Sequence, residues 1–320
     1  LFGKYESTAY YRPTLISTVD TLSLSSIFKL QLTFNEELVY GDTTESVDVS
    51  IYQITEKWRD NTFKYEDELA LDQSELIGQF SYFNEDTIDV DLSDSLFADY
   101  IRFYESPDSL RDSLYNADFF GFALVPQGAS TKIIYPDMEN SKIYSIEEST
   151  GDTINIGLEN YAFNLKRSNN SNIPDRLYLN GSLESFYSLS FKDLTVGIEE
   201  KNILKAEFVI YEDTLQLQNT LSANHTRPTF SYLDLKSTGS SQFDYDMQFG
   251  AADFIASRST SGLFSFNITD HINNYIYGSL DDTEYQLNLN PNGGIIFSSI
   301  FFDSSATNAL RPKLILTTVE

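Results

Sequence analysis

Only two histidines, His225 and His271, are available as a general base or a zinc ligand. A Ser-His-Asp triad or a zinc site needs such groups to converge from several elements. His225 precedes Arg227-Pro228 in a polar stretch. His271 follows Asp270, which puts it at a helix start or on the surface. Cysteine is absent, so disulfides, thiolate metal sites and a Cys nucleophile are excluded. No Gly-rich phosphate loop and no basic cluster is visible along the chain.

Carboxylates are the abundant chemistry, with 48 acidic against 21 basic residues and a formal charge of -27. A glycosidase needs two of them across a cleft, about 5–5.5 or 6.5–9.5 Å apart. Asp89 and Asp91 alternate on one strand face beside other acids, where solvent exposure is the simpler account. Calcium prefers oxygen ligands, and the groups that offer them are Asp86, Asp89, Asp91 and Asp94, and Asp281-Asp282 with Glu284. No Asp-x-Asp-x-Asp-Gly loop accompanies them, and a solvated acidic face reads them equally well. The expectation is no cofactor, with a structural calcium as the weaker alternative. Trp58, the single tryptophan, either stacks on a sugar ring or seals a core edge, and sealing is the simpler role.

Strands must position these groups. Tyr and Phe number 45 together, and hydrophobic residues make up 41% of 320, enough for a sizeable core. Period-two alternation marks Phe28–Phe34, Val47–Tyr52, Thr87–Leu92, Leu204–Tyr211, Leu263–Ile268, Tyr285–Leu289 and Lys313–Thr317 as half-buried strands. Phe119–Leu124 reads as a further strand, and Asn292-Gly293-Gly294 as a tight turn. Two stretches have helical spacing, Leu92–Ile101 extending toward Tyr104 and Ile268–Ile276, each with a Ser or Thr to cap it.

The two helices expose a repeat. Each follows a strand and leads to another strand, a Pro-containing turn and a third strand, through Ile133–Tyr135 in one copy and Ile295–Phe297 in the other. The period is that of a domain, not of a solenoid. The expected fold is all-β: two tandem jelly-roll-like β-sandwich domains with short inserted helices, spanning 1–172 and 173–320. The polar stretch Arg167–Pro174 has a linker's composition.

The charge repels phosphate backbones and anionic headgroups, so nucleic acid is not an expected partner. No apolar run approaches the roughly 18 residues of a membrane span. No signal-peptide pattern opens the sequence, so export implies a leader ahead of Leu1.

The segments Val47–Trp58 and Asn308–Thr317, with its Arg311-Pro312 before the last strand, resemble DNRLRE (carbohydrate-binding-module-like) jelly-roll domains. Leu1-Phe-Gly-Lys-Tyr5, the Tyr40-Gly-Asp42 turn, and Leu177–Ser182 leading through Leu194 to Asn202–Glu207 are similar to the DUF4270-type surface lipoproteins of Bacteroidota. That resemblance implies tandem jelly rolls at the outer membrane or cell surface, with a lipid-bearing Cys ahead of Leu1 as the anchor. It implies no reaction. It also points to other outer-membrane or surface proteins as partners, with polysaccharide as the alternative. Bacteroidota attach O-glycans at Asp-Ser/Thr followed by an aliphatic residue or Thr. Here that pattern marks Thr21, Thr43, Thr87, Ser95, Ser109, Ser113, Thr153 and Thr214, against roughly two expected from composition. Asp at turns and Thr at strand entries produce the same tripeptides. The sequence therefore predicts a non-catalytic subunit of a surface assembly, with a carbohydrate-binding module or adhesin as the rival and a glycoside hydrolase behind both.

Overall fold

A computed structural model describes residues 4–15, 27–35, 39–41, 44–146, 150–158, 160–168, 173–181, 186–191, 194, 198, 202–220, 232–237, 253–256, 262–278, 284–290 and 298–319. The chain forms two compact units, Gly3–Asn170 and, from Ser171 on, the remainder to Glu320. All strand pairs among the described residues are antiparallel.

In the first unit the strands are β1 (Lys4–Glu6), β2 (Ala9–Arg12), β3 (Ile27–Phe34), β4 (Tyr40–Gly41), β5 (Val47–Ile54), β6 (Leu71–Asp72), β7 (Gly78–Tyr82) and β8 (Thr87–Asp91). Helices α1 (Asp94–Tyr104) and α2 (Asp108–Asp118) follow. Then come β9 (Phe122–Gln127), β10 (Lys132–Ile133), β11 (Pro136–Ile146), β12 (Thr153–Gly157), β13 (Asn160–Phe163) and β14 (Lys166–Ser168). One sheet has the order β12-β11-β3-β8, and the other β13-β2-β9-β5-β6 with β7 also on β5. β1 pairs with β14, Lys4 opposite Ser168.

Alternation decides which faces meet. Phe28, Leu30, Leu32 and Phe34 of β3 are buried, and so are Val47, Val49 and Ile51 of β5. These two sets share one apolar cluster with Leu96, Phe97, Tyr100, Ile101 and Phe103 of α1. Phe97 stacks on Phe28 with centroids 3.6 Å apart. The expected Ser cap of α1 is not made: Ser93 has no side-chain cap bond, and its hydroxyl meets that of Ser95 at 2.8 Å. α2 was not expected from the sequence, and it buries only Tyr115.

The second unit contains β15 (Arg176–Asn180), β16 (Phe186–Ser190), β17 (Asn202–Tyr211), α3 (Thr214–Thr220), β18 (Tyr232–Ser237), β19 (Asp253–Ala256) and β20 (Leu263–Asn267). After them come α4 (Thr269–Ile276), β21 (Glu284–Asn290), β22 (Ser298–Phe302) and β23 (Lys313–Val319). Its sheets run β16-β21-β18-β19, β20-β17-β23 and β15-β22. Thr269 does not cap α4; its hydroxyl donates to Asn267 Oδ1 at 2.6 Å and accepts from the Ala206 amide.

The two units share a pairing scheme. The run β2-β9-β5-β7 corresponds to β16-β21-β18-β19, and β11-β3-β8 to β23-β17-β20. α1 and α4 each leave the edge strand of one sheet and lead toward an interior strand of another. The repeated strand and helix in the sequence are one part of this larger correspondence. The Asn292–Gly294 turn and Ile295–Phe297 lie outside the described residues.

Candidate functional site

The acidic groups stand apart. Asp86, Asp89, Asp91 and Asp94 are all exposed. Asp89 accepts a hydrogen bond from Gln31 at 3.0 Å, and Asp91 pairs with Lys29 at 2.9 Å, each across the β3–β8 ladder. Asp89 and Asp91 share one exposed face of β8. Among the described residues no three His, Asp or Glu side chains come together in a group that could hold a metal ion. Asp281, Asp282 and His225 lie outside the described residues.

His271 is not at the surface. It is 7% exposed, and its Nδ1 lies 2.5 Å from the hydroxyl of buried Tyr285. α4 turns this face onto β17, and Ile272 beside it is fully buried. Two buried carboxylates of the second unit, Glu212 and Asp213, have structural partners as well. Glu212 accepts from the Ser299 hydroxyl at 2.6 Å. Asp213 pairs with Arg176 at 2.7 Å and accepts the Gln216 amide at 2.9 Å, so it closes the start of α3.

Trp58 is 8% exposed and seals the edge of a small core with Tyr10, Ile54 and Ala123. Its Nε1 donates to the Phe120 carbonyl at 2.8 Å. The next residue, Gly121, has φ +88°, and a Cβ there would lie 2.0 Å from the Tyr11 carbonyl oxygen. Only glycine lets this segment press against β2 while its neighbour holds the indole. Trp58 thus offers no open ring face as a sugar platform.

Anchoring Trp58 sends its neighbours outward. Lys57 and Arg59 are exposed and, with Arg12, line a depression of about 280 Å³. Asp60, Asn116 and Asn160 complete its wall beside the indole. Arg12 is held firmly: Nη2 donates to the Tyr115 carbonyl at 2.9 Å, and the guanidinium lies 4.4 Å over the Tyr115 ring. The Tyr115 hydroxyl in turn donates to the Pro13 carbonyl. Burial pushes that hydroxyl's pKa up, against the opposing charge of Arg12. Asn160 faces Arg12 directly across the β2–β13 ladder. This basic site is missed in the sequence because Arg12 and Lys57-Trp-Arg59 are far apart; Lys57 and Arg59, on either side of Trp58, are its only local signal.

Of the Asp-Ser/Thr residues, Thr87, Ser95, Ser109, Ser113 and Thr153 are exposed and Thr214 is half-buried. Thr21 and Thr43 lie outside the described residues. No described helix is long and apolar enough to cross a membrane. Comparisons with protein-family models, curated proteins and solved structures give no match.

Proposed function

We propose that the protein is a non-catalytic, exported cell-surface component, built of two related jelly-roll-type sandwiches, that works through protein contacts in an outer-membrane or surface assembly. One observation carries this reading. In the first unit β12 covers the edge of β11, and the inward residues Ser141, Ile143 and Ser145 are buried. β23 takes the place of β11 in the second unit, but among the described residues it has no strand on its far side. Its inward Leu314, Leu316 and Thr318 are only half-buried, and Ile315 and Val319 are exposed. A half-covered edge with apolar side chains is the surface to which another chain adds a strand. The exposed Asp-Ser/Thr sites and the resemblance to surface lipoproteins support the location.

The test places a photoreactive residue at Thr317 in the native host and identifies cross-linked chains by mass spectrometry. A defined surface protein is the expected product, lost on Ile315→Lys while the fold persists. A protein that cross-links to nothing and binds a defined polysaccharide on a glycan array overturns the proposal.

A further inference from the structure

We infer that the depression at Arg12, Lys57 and Arg59 is a binding site for a compact, singly charged carboxylate. In a chain with net charge -27, basic side chains have carboxylates in plenty to pair with, and seven of the described ones do so. Arg12, Lys57 and Arg59 form no ion pair with any described residue, although they share one concavity. Of the Arg12 guanidinium nitrogens, Nη2 alone has a protein acceptor, and Nε is buried without one. Buried donors are rarely left without a partner.

The site is built before any ligand arrives. The Tyr115 carbonyl and ring fix Arg12. Buried Trp58 fixes the backbone that carries Lys57 and Arg59. Holding donors in place reduces the ordering cost of binding. Two guanidinium forks match the planar, two-oxygen geometry of a carboxylate. Asp60 in the wall leaves two net positive charges, which suits one anionic charge; the acidic surroundings repel polyanions. The volume is near the lower end of ligand pockets, roughly 300 Å³, so the occupant is about the size of one residue. Asn116 donates to the Asp112 carbonyl, which leaves its own carbonyl oxygen to accept from a hydroxyl or amide of that ligand.

Such a group is either a free small acid or the C-terminus of a polypeptide. Calorimetric titration of the full chain separates these with N-acetylalanine, its neutral amide, a pentaalanine acid, inorganic phosphate and an acidic peptide. Saturable binding of the acid but not the amide is expected. Arg59→Gln and Lys57→Gln, both at exposed positions, should each weaken it about tenfold, the loss of one charge-assisted bond. Arg12→Lys, which keeps the charge but not the fork, should weaken it as well. Pentaalanine binding more tightly than N-acetylalanine assigns the site to chain termini; equal or weaker binding assigns it to small acids. Equal binding of acid and amide, affinity unchanged in Arg59→Gln, tighter binding of phosphate or the acidic peptide, or no saturation at all overturns the inference.

Discussion

His271 and Tyr285 share a hydrogen bond inside the second unit, with Nδ1 and Oη 2.5 Å apart. Their rings meet at 66° with centroids 5.1 Å apart. The bond ties α4 to β21, an interior strand of the β16-β21-β18-β19 sheet. Tyr285→Phe should lower stability by about 1–3 kcal/mol, because a buried imidazole nitrogen loses this partner. Urea denaturation measures it, and a cycle with His271→Phe isolates the pair. A change below about 0.5 kcal/mol would mean that the contact contributes nothing.

Gly121 admits no side chain. A Cβ would collide with the Tyr11 carbonyl, and φ is positive. Gly121→Ala should therefore cost more than the roughly 1–3 kcal/mol of a strained backbone position alone. Thermal unfolding would register this, and an unchanged midpoint would remove β2–β9 packing as the reason for the glycine.

Trp58 and its neighbours should separate cleanly. Trp58→Ala removes a core seal and should cost about 3–5 kcal/mol. Lys57→Gln and Arg59→Gln should each stay within about 0.5 kcal/mol, as expected of exposed positions. If Trp58→Ala left stability intact, the indole would not be a core element.

Alkaline pH should destabilise the first unit through Tyr11. Burial pushes its hydroxyl up from the ordinary 10.0, and the nearby Tyr161 adds to the shift. The unfolded chain releases this proton near pH 10 while the folded chain keeps it, so stability falls as pH rises. The contribution is whole below about pH 10 and is lost above it, by up to about 1.4 kcal/mol per pH unit. Denaturation from about pH 9 to 11 should show a shallower decline in Tyr11→Phe than in the parent. Identical slopes would mean that Tyr11 titrates normally.

The strands were legible because their faces differ: β3, β5 and β20 alternate between buried and more exposed positions, as strands with one buried face do. The duplicated strand-helix order was visible too, whereas the pairing scheme behind it depends on contacts between distant segments. α2 escaped notice because it has no apolar stripe to bury; Leu110 and Leu114 are exposed and only Tyr115 turns inward. His271 was misplaced because its polar neighbours suggested solvent, whereas its partner Tyr285 is on β21. The basic depression was illegible for the same reason, since β2, α2, β13 and the Trp58 segment meet only in the folded unit.

The β1–β14 ladder has a consequence for synthesis. Lys4 is made early and its partner Ser168 late. Until then β1 waits, and β2 lacks β13 while β3 lacks β11. A nascent first unit therefore carries unpaired edges until nearly all of it has been translated, the stage at which aggregation competes with folding. Once closed, the same ladder brings the two ends of the unit side by side, which marks this unit for circular permutation: a short join between the ends and a new break in an exposed turn should leave every ladder intact.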